Sequence, residues 1–239
     1  MSALPLFKAG TTPVYSLRVL AHLLSYPGAE LRQALPELSE ALAREGAVRG
    51  VRLRALNALI AALSGRDSVE VEQDYVELFD RGRATSLHLF EHVHGDSRDR
   101  GPAMIDLLKT YEQAGLYLDP SQIKGELPDF LPVVLEFVST LEAGQVRDFV
   151  GEIAHILNAV HAALIKRQSA YAHVLAAVLE LGHQQVETME VPDDEPIDAA
   201  WAEPEAFGGC SSKGQQRPDQ PQPIQIVRRA ADPQRGASA

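Results

Sequence analysis

Cysteine is almost absent from this chain: its 239 residues hold one, Cys210. No intrachain disulfide can form, so the fold must rest on packing, as suits a reducing compartment. Aromatic residues make up only 6%, which leaves Leu, Ala and Val to fill a core. Basic residues are short as well: 22 Lys and Arg stand against 33 Asp and Glu, a net charge of −11. A protein that neutralises phosphates needs a basic patch, so nucleic-acid binding is not expected. No apolar run reaches the roughly 18 residues of a transmembrane candidate, and direct membrane insertion is not expected either. The opening MSALPLFKAGTTPVY has no continuous apolar stretch of the kind a secretory signal needs. These absences describe a soluble, cytoplasmic protein.

Catalytic signatures are missing too. There is no G-x-S-x-G, and Gly208-Gly209 lacks the flanking strand and helix that would make a phosphate loop. Without such a loop, nucleotide binding has no support. Cys210 lies in FGGCSSKG, where no base is positioned to activate a thiol. No catalytic residue and no bound cofactor are expected.

Helical periodicity is what the chain does have. Thr12-Pro13 suits the opening of a first helix, whose stripe is Leu17, Leu20, Ala21 and Leu24. Leu31, Leu35, Leu38 and Leu42 continue the period, with Pro36 expected to split them into two short pieces. Leu56, Leu59, Ile60 and Leu63 mark the next helix, and Asp67 with Glu70 has capping-box spacing before another. Thr85 or Ser86 is placed to cap a short helix carrying Leu87, Phe90 and Val93 and ending at Gly95. Met104, Leu107, Leu108 and Tyr111 define a further helix, and Phe130, Val134, Phe137, Val138 and Leu141 another with Pro132 in its first turn. The longest stripe runs Val146, Phe149, Val150, Ile153, Leu157, Val160, Leu164, and a last helix carries Tyr171, Val174, Leu175 and Val178 up to Gly182. No stretch alternates with period 2. The expectation is an all-α bundle of roughly eight or more helices with short loops, residues 1–182. Residues 183–239, rich in Pro, Gln, Asp, Glu, Gly and Ser, read as a largely disordered tail. Its one aromatic island, IDAAWAEPEAFG, holds Trp201 and Phe207, a candidate linear motif.

One segment departs from the Leu/Ala pattern. From Asp74 to Leu108 the chain reads DYVELFDRGRATSLHLFEHVHGDSRDRGPAMIDLL. Tyr75, Leu78, Phe79, Leu87, Phe90 and Val93 are interleaved with Asp80, Arg81, Arg83, His88, Glu91, His92, His94, Asp96, Arg98, Asp99 and Arg100. A packed core does not need so many charges, and a solvated face does not need the aromatics. A mixture of both suits recognition of another chain. The charges can also be read as an internal salt-bridge network that braces two loops. His88 and His92, at i, i+4 if helical, with His94 and Asp96, give a competing reading as a metal-dependent enzyme. No H-E-x-x-H and no second ligand cluster accompany them.

YVELFDRGRATSLHLFEHVHGDSRDRGPAMIDLLKTYEQAGL resembles the signature stretch of the nitrate reductase molybdenum cofactor assembly chaperones, also called the nitrate reductase delta subunit. Tyr75, Leu78, Phe79, Asp80, Arg81, Gly82, Arg83, Ser86, Phe90, Glu91, His92, His94, Gly95, Arg98, Arg100, Gly101 and Tyr111 fall in the expected order. LPDFLPVVLEF, VYSLRVLAHLLSYP and IDAAWAEPEAFG resemble further blocks of that family. The resemblance implies an all-helical cytoplasmic chaperone similar in fold to other molybdoenzyme maturation chaperones, without catalysis. It implies as partner the catalytic alpha subunit of respiratory nitrate reductase, including its N-terminal segment, a relic of a twin-arginine leader. The chaperone would hold that subunit ready for molybdenum cofactor insertion and time its membrane attachment; a homodimer is left open. On this reading Tyr75, Leu78, Phe79, Leu87 and Phe90 are candidate groove walls. Asp80, Glu91, Asp96 and Asp99 would meet basic client residues. Arg81, Arg83, Arg98 and Arg100 would brace those carboxylates or pair with acidic client residues. His92 and His94 on that face would make binding sensitive to pH.

Overall fold

Nine α-helices follow one another in the computed structural model, which describes residues 14–95, 97–118 and 125–189. They are α1 (Val14–Leu23), α2 (Ala29–Glu45), α3 (Gly50–Gly65), α4 (Ser68–Phe79), α5 (Leu89–His94), α6 (Arg100–Gln113), α7 (Leu131–Val138), α8 (Ala143–Lys166) and α9 (Ala172–Leu181). A single 3-10 turn, Arg83–Thr85, precedes α5. Among the described residues there is no strand, only an isolated antiparallel bridge between His88 and Phe130. Thr12, Pro13, Asp96, Trp201 and Phe207 lie outside the described residues.

The core gathers around α1, α8 and α9. Leu17, Leu20 and Leu23 of α1, Val134, Leu135 and Val138 of α7, and Val174, Leu175 and Val178 of α9 are fully buried. Helix α1 packs on α7, α2 and α9, and α8 lies along α9 and against the Arg83–Thr85 turn. Helix α8 is long and apolar enough to cross a bilayer, yet Val150, Leu157 and Leu164 are buried in the core. Each buried Leu removes enough apolar surface to contribute about 1.5–3 kcal/mol. Burial also pushes the phenols of Tyr75, Tyr111 and Tyr171 well above their usual range, so all three stay neutral.

Helix ends follow local chemistry in several places. Asp67 accepts the backbone N–H groups of Val69 and Glu70 at 2.9 and 3.3 Å, capping α4 as its spacing suggested. Glu142 and Gln145 form a reciprocal capping box on α8. Gly46 ends α2 with φ +64°, a left-handed turn that glycine adopts without strain. The first helix is capped from a distance: the Glu45 carboxylate, at the end of α2, accepts Tyr15 N–H at 3.0 Å and Ser16 N–H at 2.6 Å.

Pro36 does not split its helix: α2 runs unbroken from Ala29 to Glu45 with the proline inside it. Proline removes one N–H and crowds the carbonyl a turn earlier. Pro36 sits on the exposed face, where water can reach that carbonyl, while Leu35 and Leu42 on the inner face are fully buried. Burial of the leucine stripe outweighs the lost hydrogen bond.

Gly182, just after α9, is needed for close approach. A Cβ there would sit 2.4 Å from Val150 Cγ1 and 2.5 Å from its Cβ. Overpacking of this kind costs about 1–3 kcal/mol. Gly182→Ala is therefore expected to lower stability by roughly that amount in a denaturant titration followed by circular dichroism. Gly144→Ala, in the first turn of α8 with nothing within 4 Å of the added Cβ, should leave stability unchanged or raise it by about 0.4–1 kcal/mol.

Candidate functional site: a buried carboxylate clasp under α5 and α6

The segment from Asp74 to Leu108 divides into an inner and an outer half. Tyr75 and Phe79 lie on the inner face of α4 at 5% and 4% exposure. Their rings meet at 4.8 Å, and both meet Tyr171, at 6.3 and 5.1 Å. Tyr75 donates its hydroxyl to the Leu24 carbonyl at 2.7 Å, tying α4 to the end of α1. Leu87 is buried as well, and Leu78 and Phe90 are half-buried against the core. In this structure Tyr75, Phe79 and Leu87 are core residues rather than walls of an open groove. An aromatic at helical spacing finds its partners in the bundle first, because that burial is available without a second chain.

The turn into α5 also departs from the sequence expectation. Arg83–Thr85 forms a 3-10 turn, and α5 begins at Leu89 instead of directly after Thr85 or Ser86. Thr85, fully buried, donates its hydroxyl to the Leu78 carbonyl and holds the turn against α4. Ser86 Oγ accepts His88 N–H at 3.3 Å. Neither hydroxyl caps α5. The capping group is Asp129, about forty residues further on: its backbone carbonyl accepts Leu89 N–H at 3.1 Å, and its Oδ2 accepts Phe90 N–H at 2.9 Å. Leu131 N–H returns to the Leu87 carbonyl at 2.8 Å. Residues 87–90 and 129–131 are thus clipped together by three backbone donors and one carboxylate.

Asp129 is fully buried, and a buried carboxylate needs partners. Besides Phe90 N–H it has His88, whose Nδ1 lies 3.4 Å from Oδ1, and Arg100, whose Nη2 lies 3.9 Å from Oδ2. Arg100 also faces Glu91 at 3.6 Å, and His88 Nε2 faces Glu126 at 3.7 Å. The hydrogen bond to Asp129 raises the His88 pKa above the ordinary histidine value; burial opposes it, and the charges of Asp129, Glu91 and Glu126 add to it. Tyr111 of α6 completes the clasp by donating to the Pro128 carbonyl at 2.8 Å. Asp129 therefore joins α5, α6 and the start of α7.

Sequence reasoning did not single out Asp129. Its signal is the one aspartate inside LPDFLPVVLEF, next to a helix start, where a local cap for α7 would be the ordinary reading. Phe130, not Asp129, occupies that N-cap position. Only the fold shows that the carboxylate serves a different helix.

The three histidines do not converge. His88 points to Asp129 and Glu126, His92 Nε2 donates to the Ser86 carbonyl at 2.9 Å, and the His94 ring stands edge-on to Phe90 at 5.6 Å. His88 lies before α5, so His88 and His92 do not share a helix face. Among the described residues no group of three or more His, Cys, Asp or Glu is placed to hold a metal. The charges divide likewise. Arg100 and Glu91 belong to the clasp, while Asp80, Arg81, Arg83, Arg98 and Asp99 are exposed. Arg83 lies over Gly95, the φ +52° residue that ends α5, and Arg167 lies over Gly82. Asp99 accepts the Ser97 hydroxyl at 3.2 Å. The internal-network reading of the charged run therefore holds for Arg100 and Glu91, while the other charges lie on the surface.

Above the clasp, α6 is the least buried of the described helices. Of the 14 residues of α6 only Tyr111 is buried, and Ile105 is 55% exposed; Val93 on α5 is 53% exposed. The fold is shared with the crystal structure of a redox enzyme maturation protein from Archaeoglobus fulgidus, with a TM-score of 0.54 at 18% identity over 76% of this chain and all of the other. Sequence comparison then defines the family. Residues 27–177 match the nitrate reductase delta subunit family. The chain is 41% identical over 197 residues to the nitrate reductase molybdenum cofactor assembly chaperone NarJ of Escherichia coli K12, covering 78% of this chain and 82% of that protein. It is 35% identical over 164 residues to the probable NarJ chaperone of Bacillus subtilis, covering 67% and 86%. This chain belongs to the nitrate reductase delta subunit family, a family of maturation chaperones rather than enzymes.

The clasp makes two measurable demands. Asp129→Ala strands Phe90 N–H and leaves Arg100 and His88 facing a void, and is expected to destabilise the fold by about 2–3 kcal/mol. Because the folded-state pKa of His88 is raised, its contribution is complete below the unfolded value of about 6.5 and is lost as pH rises through the higher folded value. Denaturation at pH 6 and pH 8 should therefore show wild type losing more stability with rising pH than His88→Gln does. Equal pH dependence in the two proteins would remove the charged His88–Asp129 pair from the account.

Proposed function

We propose that this chaperone acts in the cytoplasm on the catalytic alpha subunit of a respiratory nitrate reductase, binding it at more than one place, its N-terminal segment included. It holds that subunit ready for molybdenum cofactor insertion and delays its attachment to the membrane until insertion is complete. The observation that carries the reading is the coincidence of two things. The chain is 41% identical to a chaperone of this class. Its most distinctive segment also holds a helix pair that exposes Val93 and Ile105 and is anchored by a clasp rather than by deep burial.

The surface over α5 and α6 suits the body of a client. Val93 and Ile105 supply apolar contact, and Arg98 and Asp99 supply orienting charge at the turn between the helices. The acidic net charge favours encounter with basic client surfaces. The alternative, a metal-dependent enzyme using His88, His92 and His94, has no geometric support, since each ring faces a different partner.

Binding of cofactor-free alpha subunit to the immobilised chaperone tests the proposal. Wild type should bind, and Val93→Asp combined with Arg98→Ala should bind about tenfold or more weakly, a loss of about 1.4 kcal/mol or more, at unchanged helical content. Undiminished binding by the double variant would place the client body on another face. No binding by wild type would end the reading.

A further inference from the structure

The chain turns back on itself after α9. His183 N–H donates to the Glu180 carbonyl at 3.1 Å and Gln184 N–H to the Leu179 carbonyl at 2.8 Å, a Schellman closure of the helix. The left-handed position of that closure, which glycine usually fills, is His183 at φ +57°. From there residues 183–187 run as a strap along α8. Gln184 Nε2 donates to the Arg147 carbonyl at 3.4 Å and to the Gly182 carbonyl at 3.1 Å. Gly151 makes room for that amide, since a Cβ there would meet it at 3.2 Å. About two turns further along α8 stands Asn158, only 3% exposed. Its Nδ2 donates to the Gln185 carbonyl at 3.3 Å, and its Oδ1 accepts Glu187 N–H at 2.9 Å. One side-chain amide thus grips the strap through main-chain atoms alone.

Two features set this strap apart from the helices it lies on. Its hold is polar: His183, Gln185 and Glu187 are exposed, and Val186 and Met189 are 38% and 41% exposed, so apolar burial adds little. Segments held in this way open locally, at a lower free energy than the core. Its hinge is strained: a residue with a Cβ stays at positive φ only while the bonds around it over-determine it. The grip, by contrast, is fixed. Asn158 stands on α8 beside Leu157, which is fully buried in the core, so the amide keeps its place whether or not the strap is bound. We propose that residues 183–187 form a latch, with His183 as hinge and Asn158 as keeper, which leaves and rejoins α8 while the helices stay folded. Closed, it covers Gly151 and Asn158 and fixes the point from which residues 190–239 continue. Open, it uncovers the Asn158 amide and releases that point. The latch is a property of this chain alone and does not depend on which client the chaperone serves.

Native-state amide hydrogen exchange of the full-length protein, resolved by residue, tests the latch. In wild type the Glu187 amide should be protected, yet exchange at least about tenfold faster than Leu157 and Leu175 of the core, at a rate that low denaturant leaves unchanged. Asn158→Leu keeps the side-chain size and removes both bonds. It should speed Glu187 exchange at least about tenfold while Leu175 stays protected. His183→Gly relieves the hinge and should slow Glu187 exchange about threefold or more. Where circular dichroism shows that Asn158→Leu does not fold, Gln184→Ala, at a half-buried strap side chain, is held to the same criterion. Glu187 exchange in wild type as fast as in an unfolded peptide would mean that no closed state exists. Exchange at the rate of the core would mean that the strap never opens by itself. Unchanged Glu187 exchange in a folded keeper variant would remove the grip, and no slowing in His183→Gly would remove the hinge. Each of these four results overturns the proposal.

Discussion

The Asp129 carboxylate is the point on which the outer half of this molecule depends. A charge in a fully buried position is tolerated only when its lone pairs are used. Here a backbone N–H, an imidazole and a guanidinium share it, and the neighbouring Tyr111 hydroxyl holds the preceding carbonyl. Helix α5 is six residues long, too short to be stable alone. It exists because its first donors are met from the α7 side. Helix α6 buries one side chain and is tied down by Arg100 and Tyr111. Polar bonds replace apolar burial as the anchor for this part of the surface.

That substitution suits a chaperone. Deep burial of α5 and α6 would have enclosed their apolar residues, whereas a clasp at their base leaves Val93 and Ile105 exposed. The same logic appears at α1, where Glu45 accepts the Tyr15 and Ser16 N–H groups of the first turn. In both cases a carboxylate from one segment closes the open end of another, so helix formation and tertiary assembly are coupled.

Much of this was legible beforehand. The 3.6-residue stripes of α1, α3, α7, α8 and α9 are strong because Leu and Val recur on one face, and the Asp67 cap follows from spacing alone. The segment around Phe90 and Arg98 stood out by composition, and its resemblance to the chaperone family agrees with the family match over residues 27–177. What misled was local reasoning about single residues. Pro36 was weighed by its lost donor, when the buried leucine stripe decides. Tyr75 and Phe79 suggest a client groove by composition, but in the fold Tyr171, distant in sequence, covers both.

The sequence by itself determined the all-helical class, the position of most helices and the family, because these depend on periodicity and on residues close together along the chain. Tertiary structure alone decided which side chains face inward and which helix each carboxylate serves. Asp129 and Phe90 lie 39 residues apart and Glu45 and Tyr15 lie 30 apart, so no local pattern could join them. The Asp129 pairing is set by the energy of burying a charge, which has no value until the surrounding helices have come together.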